Sequence, residues 1–188
     1  MPNHVRNKIQ FKTLDDFMLV SEFCKNDVCS TIFDFNKLIP APGYIFQGDL
    51  GKEERRKYGE NNWYDWNIRN WGTKWNAYSG ELDKENFAIL FSTAWAMPEP
   101  ICQTLSAQFP DVDFTWKWAD EDLGFNTGIY RKSGGELLEI NVSNESNEAY
   151  GLYIELHGSS ECIGMDEDGV HYKYDCDNCP NRYRCGID

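Results

Sequence analysis

The sequence is short of the residues that most catalysis and anion binding require. It holds three histidines in 188 residues, and its 18 basic residues are outnumbered by 31 acidic ones, for a net charge of −13. No arrangement of serine, histidine and aspartate points to nucleophilic catalysis. A nucleic acid backbone is bound by lysines and arginines that neutralise phosphates, so this charge balance disfavours direct contact with DNA or RNA. Long apolar runs are missing too. The first residues contain none, which argues against a secretory signal. The longest, Phe87 to Met97, falls short of the roughly 20 residues that span a bilayer. These absences predict a soluble cytoplasmic protein with no membrane association, whose seven cysteines are thiols or metal ligands more often than disulfides.

What is present argues for a folded globule. The composition is 41% hydrophobic and 15% aromatic, far from the aromatic-poor make-up of disordered chains. Acidity is concentrated late: residues 119–188 carry 15 acidic and 5 basic side chains, against 16 and 13 in residues 1–118. The plain reading of that charge is solubility; the sharper one is an acidic surface that competes for a nucleic-acid-binding protein. The aromatics cluster early. Trp63, Trp66, Trp71 and Trp75, with Tyr64 and Tyr78, fall between Asn61 and Ser79, and rings that each bury roughly 150–250 Å² organise whatever packs around them.

Within that stretch, the run Asp65 to Ala77, with Trp71-Gly72-Thr73-Lys74-Trp75-Asn76 at its centre, resembles the YubB ferredoxin-like domain family. The Met1-Pro2-Asn3 opening with Asn7, the Phe35-Asn36-Lys37-Leu38-Ile39-Pro40-Ala41-Pro42 segment and Phe91 to Pro98 followed by Leu105-Ser106 and Phe109-Pro110 fit the same resemblance, which spans about residues 1–157. It implies a ferredoxin-like α+β sandwich encoded on plasmids, phages and other bacterial mobile elements. It brings no catalytic residues.

Read in order, the pattern supports the same fold. Val5, Ile9 and Phe11 share one face of a first strand. Thr13 caps a helix with Asp15 and Asp16 in its first turn, where the helix dipole favours anions, and Phe17, Val20, Phe23 and Cys24 form its apolar face. Phe33 to Pro42 reads as a buried loop, and 43–79 as an inserted tryptophan-rich loop that starts with a short exposed helix over 52–57. A second strand begins over 75–79, and the unbroken run over 86–93 suits a strand buried on both faces. Pro98 and Pro100 open a helix with Ile101, Leu105 and Phe109 on one face. Val112, Phe114, Trp116 and Trp118 alternate as a fourth strand, which completes the split β-α-β pattern. Asp120, Glu121 and Asp122 then form an acidic, solvated turn. Ser133-Gly134-Gly135 marks a hairpin, and Ser143 or Asn144 caps a last helix that packs on the sheet edge through Ala149, Leu152, Tyr153 and Leu156. The expected architecture is an antiparallel ferredoxin-like sheet with helices on one face, extended by a hairpin and a helix, over residues 1–158. Residues 159–188 form a cysteine-rich tail.

Two sets of candidate site residues follow. Cys176, Cys179 and Cys185, with Cys162 as first choice of fourth ligand ahead of His171 and His157, have spacing suited to a structural zinc ion held by thiolates; free thiols, an oxidised pair and an iron-sulfur cluster are the competing readings. Trp66, Arg69, Trp71, Lys74 and Trp75 are candidates for a partner-binding surface, since Trp and Arg are enriched at binding hot spots; packing in the core is the competing reading. Cys24, Cys29 and Cys102 read as core or near-core thiols. The leading functional expectation is a non-enzymatic, protein-binding accessory protein of a mobile element. The alternatives are a metal-stapled module that stacks single-stranded bases on the tryptophan loop, and an enzyme with a pocket under that loop using Asp65, Asp120 or Asp122.

Overall fold

A computed structural model of the chain describes residues 2–158, 163–165 and 172–174. Its centre is a six-stranded antiparallel sheet built from β1 (His4–Phe11), β2 (Tyr78–Asp83), β3 (Ala88–Ala94), β4 (Phe114–Asp120), β5 (Gly128–Ser133) and β6 (Glu136–Ile140), in the spatial order β2-β3-β1-β4-β5-β6. The first four strands, with α1 (Leu14–Cys24) after β1 and a helix over Glu99–Gln108 after β3, make the ferredoxin-like β-α-β-β-α-β core. The β5–β6 hairpin widens it beyond β4, and its Gly134 and Gly135 both take the positive φ that the turn requires. A short pair, β7 (Ile163–Met165) and β8 (Tyr172–Tyr174), stands outside the main sheet.

One face carries the aromatic core. The odd residues of β1, namely Val5, Asn7, Ile9 and Phe11, are all buried and lie in register with Thr93, Phe91 and Ile89 of β3 and with Trp118, Trp116 and Phe114 of β4. Phe33 stacks on Phe91 with centroids 4.9 Å apart, and Trp116 meets both rings edge to face. α1 covers this face as its pattern predicts: Thr13 caps it through the Asp16 amide, and Phe17, Val20 and Cys24 are buried. The loop over 33–42 is anchored in the core by Phe33, Asp34, Phe35 and Leu38, while Asn36, Lys37 and Pro40 are exposed, and it contains one 3-10 turn over Phe35–Lys37. Its Asp34 accepts from Asn26, Asn36 and Asn76.

Three expectations need correction. The tryptophan stretch is not a loop: after α2 (Lys52–Tyr58), Asn62 caps α3 (Trp63–Trp71), accepting from the Asp65 amide at 3.1 Å. Gly72 ends α3 in the left-handed region at φ 76, where a Cβ would also stand 2.9 Å from Pro100. Weak helix formers hid α3, while its two caps were visible in the sequence. Asp120 is not solvated either. It closes β4 at 4% exposure and accepts from Asn3, from the Asp122 amide and from Asn126. Finally, α5 (Asn147–His157), capped by Ser146, lies over the sheet face opposite α1 rather than at an edge. Ala149 and Leu152 pack on Ile129 of β5, and Glu155 reaches Lys8 and Lys117 on the even positions of β1 and the odd positions of β4.

Candidate binding surface

The tryptophan segment divides into a buried part and a presented part. Trp66 and Trp71 are core residues, 6% and 4% exposed, and meet edge to face at 5.3 Å. The Trp71 indole donates to the carbonyl of Ile39, and Trp71 also packs against Phe35. Neither ring stands out on the surface, which corrects that part of the expected surface; of the two, Trp71 reaches the wall of a neighbouring cleft. Arg69 is occupied as well, by Glu60 at 2.7 Å. Most of the motif around them is joinery. Thr73 exchanges hydrogen bonds with both backbone groups of Ala94, and Asn76 links Asp34 to the Phe35 amide.

Lys74 and Trp75 are different. The Lys74 ammonium lies 4.6 Å from the Trp75 ring centroid, 5.0 Å from Trp95 and 5.8 Å from Tyr64. No carboxylate among the described residues pairs with it. Such a cation over ring faces is held by the ring quadrupole, for about 0.5–1 kcal/mol per contact at an exposed site. Trp75 and Trp95 are 36% and 42% exposed, so the cluster faces solvent. Arg55 of α2 adds a second cation, 5.3 Å from the Tyr64 centroid. Lys52, Arg56 and Lys57 continue the basic side of α2. Glu53 and Glu54 share that helix, and residues 49–74 carry six basic and five acidic side chains, so this segment is near neutral although the chain as a whole is acidic.

Trp95 owes its position to a strained backbone. Its φ is 73°, a region that bulky L-residues rarely enter. The strain is held by two hydrogen bonds: the Trp95 amide donates to Asn3, and its carbonyl accepts from Asn126, whose amide also grips Asp120. The buried end of β1 and β4 thus fixes an exposed indole. Neither Trp95 nor Tyr64 is among the candidate site residues that the sequence suggests. A tryptophan between two alanines just past an apolar strand was the visible signal, but no periodicity places it beside α3.

Beside this cluster, and sharing Trp75 with it, is a cleft of about 480 Å³ lined by Pro42, Ile45, Gln47, Asn67, Trp71 and Asn76 among others. None of its lining residues is charged. Of the three carboxylates considered for catalysis, Asp65 is engaged with Asn62 and Arg55 and Asp120 in the network just described, while Asp122 is exposed on the turn after β4. Cys24 and Cys102 are buried. Burial, with the Asp34 charge, pushes the Cys24 thiol up to about 12, and burial, with Glu99, also raises Cys102. Neither is a ready nucleophile. His4 bonds Tyr78, and His157 bonds the Ala119 carbonyl. Among the described residues no cluster of His, Cys, Asp and Glu could hold a metal ion. Cys162, Cys176, Cys179, Cys185 and His171 lie outside the described residues. No helix among those described is long and apolar enough to cross a membrane.

Residues 74–162 match the model of a family described as the ferredoxin-like domain in Api92-like protein. The match begins at Lys74 and takes in every element from β2 to α5. It supports a ferredoxin-like family of unknown function and does not carry the YubB name. No curated protein and no solved structure matches the chain.

Proposed function

We propose that this chain is a non-enzymatic binding module that engages a protein partner through Tyr64, Lys74, Trp75 and Trp95. The observation that carries the reading is Trp95: a bulky residue in a strained backbone conformation, clamped at both its amide and its carbonyl, with its indole turned to solvent beside an unpaired ammonium. Strain of that kind costs on the order of 1–3 kcal/mol and persists where the surroundings impose it, most often at functional positions. Stacking of single-stranded bases fits less well, because Lys74 already covers ring faces of Trp75 and Trp95 and would have to be displaced. An accessory role on a bacterial mobile element rests on the resemblance of the Asp65–Ala77 segment to the YubB family.

The test is in-cell crosslinking and affinity capture from the native host, comparing the intact chain with Trp95→Ala and with the surface control Lys84→Ala. A specific protein captured by the intact chain and the control, and lost with Trp95→Ala, is the expected result. Undiminished capture by Trp95→Ala overturns the assignment of the surface. Zinc held by Cys162, Cys176, Cys179 and Cys185 is proposed on their spacing alone, as a staple for a short tail, and elemental analysis of the purified protein decides it.

A further inference from the structure

We infer that the cleft beside Trp75 is an anchor pocket for a tyrosine side chain of the protein partner. The inference rests on the protein-binding reading above, and deepens it by naming the group that enters. Four amide side chains line the cleft, but most of their hydrogen-bonding capacity is spent within the chain. Asn36 donates to Asp34 and accepts from the Ala41 amide. Asn76 donates to Asp34 and accepts from the Phe35 and Ala77 amides. Gln47 donates to the Ile45 carbonyl at 3.4 Å.

Gln47 is exposed, so its unengaged oxygen is met by water; Asn67 is the buried one of the four with an acceptor to spare. It is 7% exposed, and its amide nitrogen donates to the Lys74 carbonyl at 2.9 Å, while its Oδ1 has no donor among the described residues. Among described side-chain polar atoms shut off from solvent, the Thr127 hydroxyl alone lacks a partner. The free Asn67 oxygen therefore keeps contact with solvent, and Asn67 is one of the residues that line the cleft.

The cleft thus offers one free acceptor on a buried residue, in a lining that includes Trp71, Trp75, Pro42 and Ile45 and carries no charge. That arrangement suits a flat apolar body bearing one hydrogen-bond donor. A phenol meets both requirements: its ring covers the indole and proline surfaces, and its hydroxyl donates to Asn67. A saccharide would bring several hydroxyls to a wall that has one free partner on a buried residue. A guanidinium or ammonium would enter without a carboxylate to receive it. A leucine or phenylalanine would leave the Asn67 oxygen desolvated and unpaired, which costs binding. The volume is within the range of small-ligand pockets, about 300–1,000 Å³. The Lys74 ammonium, next to Trp75 on the adjoining surface, would lie beside the partner's backbone once a tyrosine is seated.

The experiment is an NMR titration of the full chain with N-acetyl-L-tyrosinamide, N-acetyl-L-phenylalaninamide and methyl glucoside as probes. The tyrosine probe is expected to bind with a Kd of about 1 mM, shifting the Trp75 indole and the Asn67 and Gln47 side-chain amides. The phenylalanine probe should bind at least about five-fold more weakly, because it leaves the acceptor unpaired. Trp75→Ala, at a half-exposed ring that the core does not need, should weaken the tyrosine probe by about ten-fold. Asn67→Ala should remove the preference of tyrosine over phenylalanine; if that variant does not fold, the two probes on the unaltered chain carry the test by themselves. Equal binding of the two aromatic probes, shifts confined to other surfaces, tighter binding of methyl glucoside or no shifts at all would each overturn the pocket. A failed capture experiment with probe binding intact would sink the partner reading and leave the phenol site standing.

Discussion

The two faces of the sheet are held by different physics. Under α1, one face is an aromatic core in which the buried Asn7, Thr93 and Lys132 are paired. Trp116 donates to Asn7 at 3.0 Å, Asn7 donates to Thr93, and Lys132 turns its ammonium to the carbonyls of Ser106 and Phe109, at the end of α4 (Glu99–Gln108). Under α5, the other face has a small apolar cluster and an ionic clasp. Lys8 and Lys117 stand directly opposite each other on β1 and β4. Like charges in that position repel, and Glu155 of α5 bridges them at 3.0 and 2.6 Å. The first face defines the fold, whereas the second fastens a helix onto it, and the two should fail differently.

Removing Trp116 should have the largest effect. It is fully buried against Phe33 and Phe91, and a Trp→Ala change of this kind costs about 3–5 kcal/mol, with a further penalty because Asn7 loses its indole donor. Chemical denaturation of Trp116→Ala should show a lower midpoint for the whole molecule. If the variant unfolded at the midpoint of the unaltered chain, the aromatic face would not be what defines the fold.

The α5 face should respond less, and in a pH-dependent way. Burial raises the Glu155 carboxyl, but hydrogen bonds from Lys117 and Lys8 outweigh it and hold the pKa below its ordinary value. A depressed carboxylate contributes stability that is fully present above its unfolded pKa of about 4.3 and is lost as pH falls through the folded value. Glu155→Gln should therefore cost about 1–2 kcal/mol near neutral pH, and the deficit should shrink as pH falls below about 4. Asp34 behaves in the same direction, since donors from Asn26, Asn76 and Asn36 outweigh its burial, so the comparison has to be made between the two proteins at each pH. Hydrogen exchange should show the protection of α5 reduced and that of β1 and β3 kept. Loss of protection throughout the sheet would mean that the clasp belongs to the core and that the two faces are not separate.

The same contrast explains what could be read from the sequence. The aromatic face announces itself by period: alternation over Phe114 to Trp118, the apolar run read over 86–93, where the strand is Ala88–Ala94, and the helical spacing of Phe17, Val20 and Cys24 all place residues where the structure has them. The alternative face is written in pairs that no local pattern contains, such as Lys8 with Glu155, far apart in the chain. The site suffers the same limit. Lys74 and Trp75 are grouped with Trp66, Arg69 and Trp71 by residue type, because spacing alone does not tell an inward ring from an outward one in a segment expected to be a loop. Trp95 comes to Lys74 only after β3 has been paired with β1, so its part in the cluster needed the tertiary fold. Asn67 drew no notice because a polar residue on a helix is ordinarily exposed.

The smallest expected change in stability is at Trp95, and it bears most directly on function. Ordinarily glycine is less stable than alanine at a given site, because the unfolded chain loses freedom with alanine. At φ 73 the order should reverse: alanine keeps the steric cost of the left-handed region, about 1–2 kcal/mol, and glycine does not. Trp95→Gly should be more stable than Trp95→Ala by about 1 kcal/mol, seen as a difference in Tm of about 2–4 °C for a chain of this size. Because the indole is exposed, its loss removes little core contact, and Trp95→Gly should lie within about 1 kcal/mol of the unaltered chain. Retained stability with lost partner capture in Trp95→Gly would show that the strain serves the placement of the ring on the surface. A large loss of stability in both variants would instead make the indole part of the aromatic core, and the division between a face that defines the fold and a surface that serves binding would have to be drawn elsewhere.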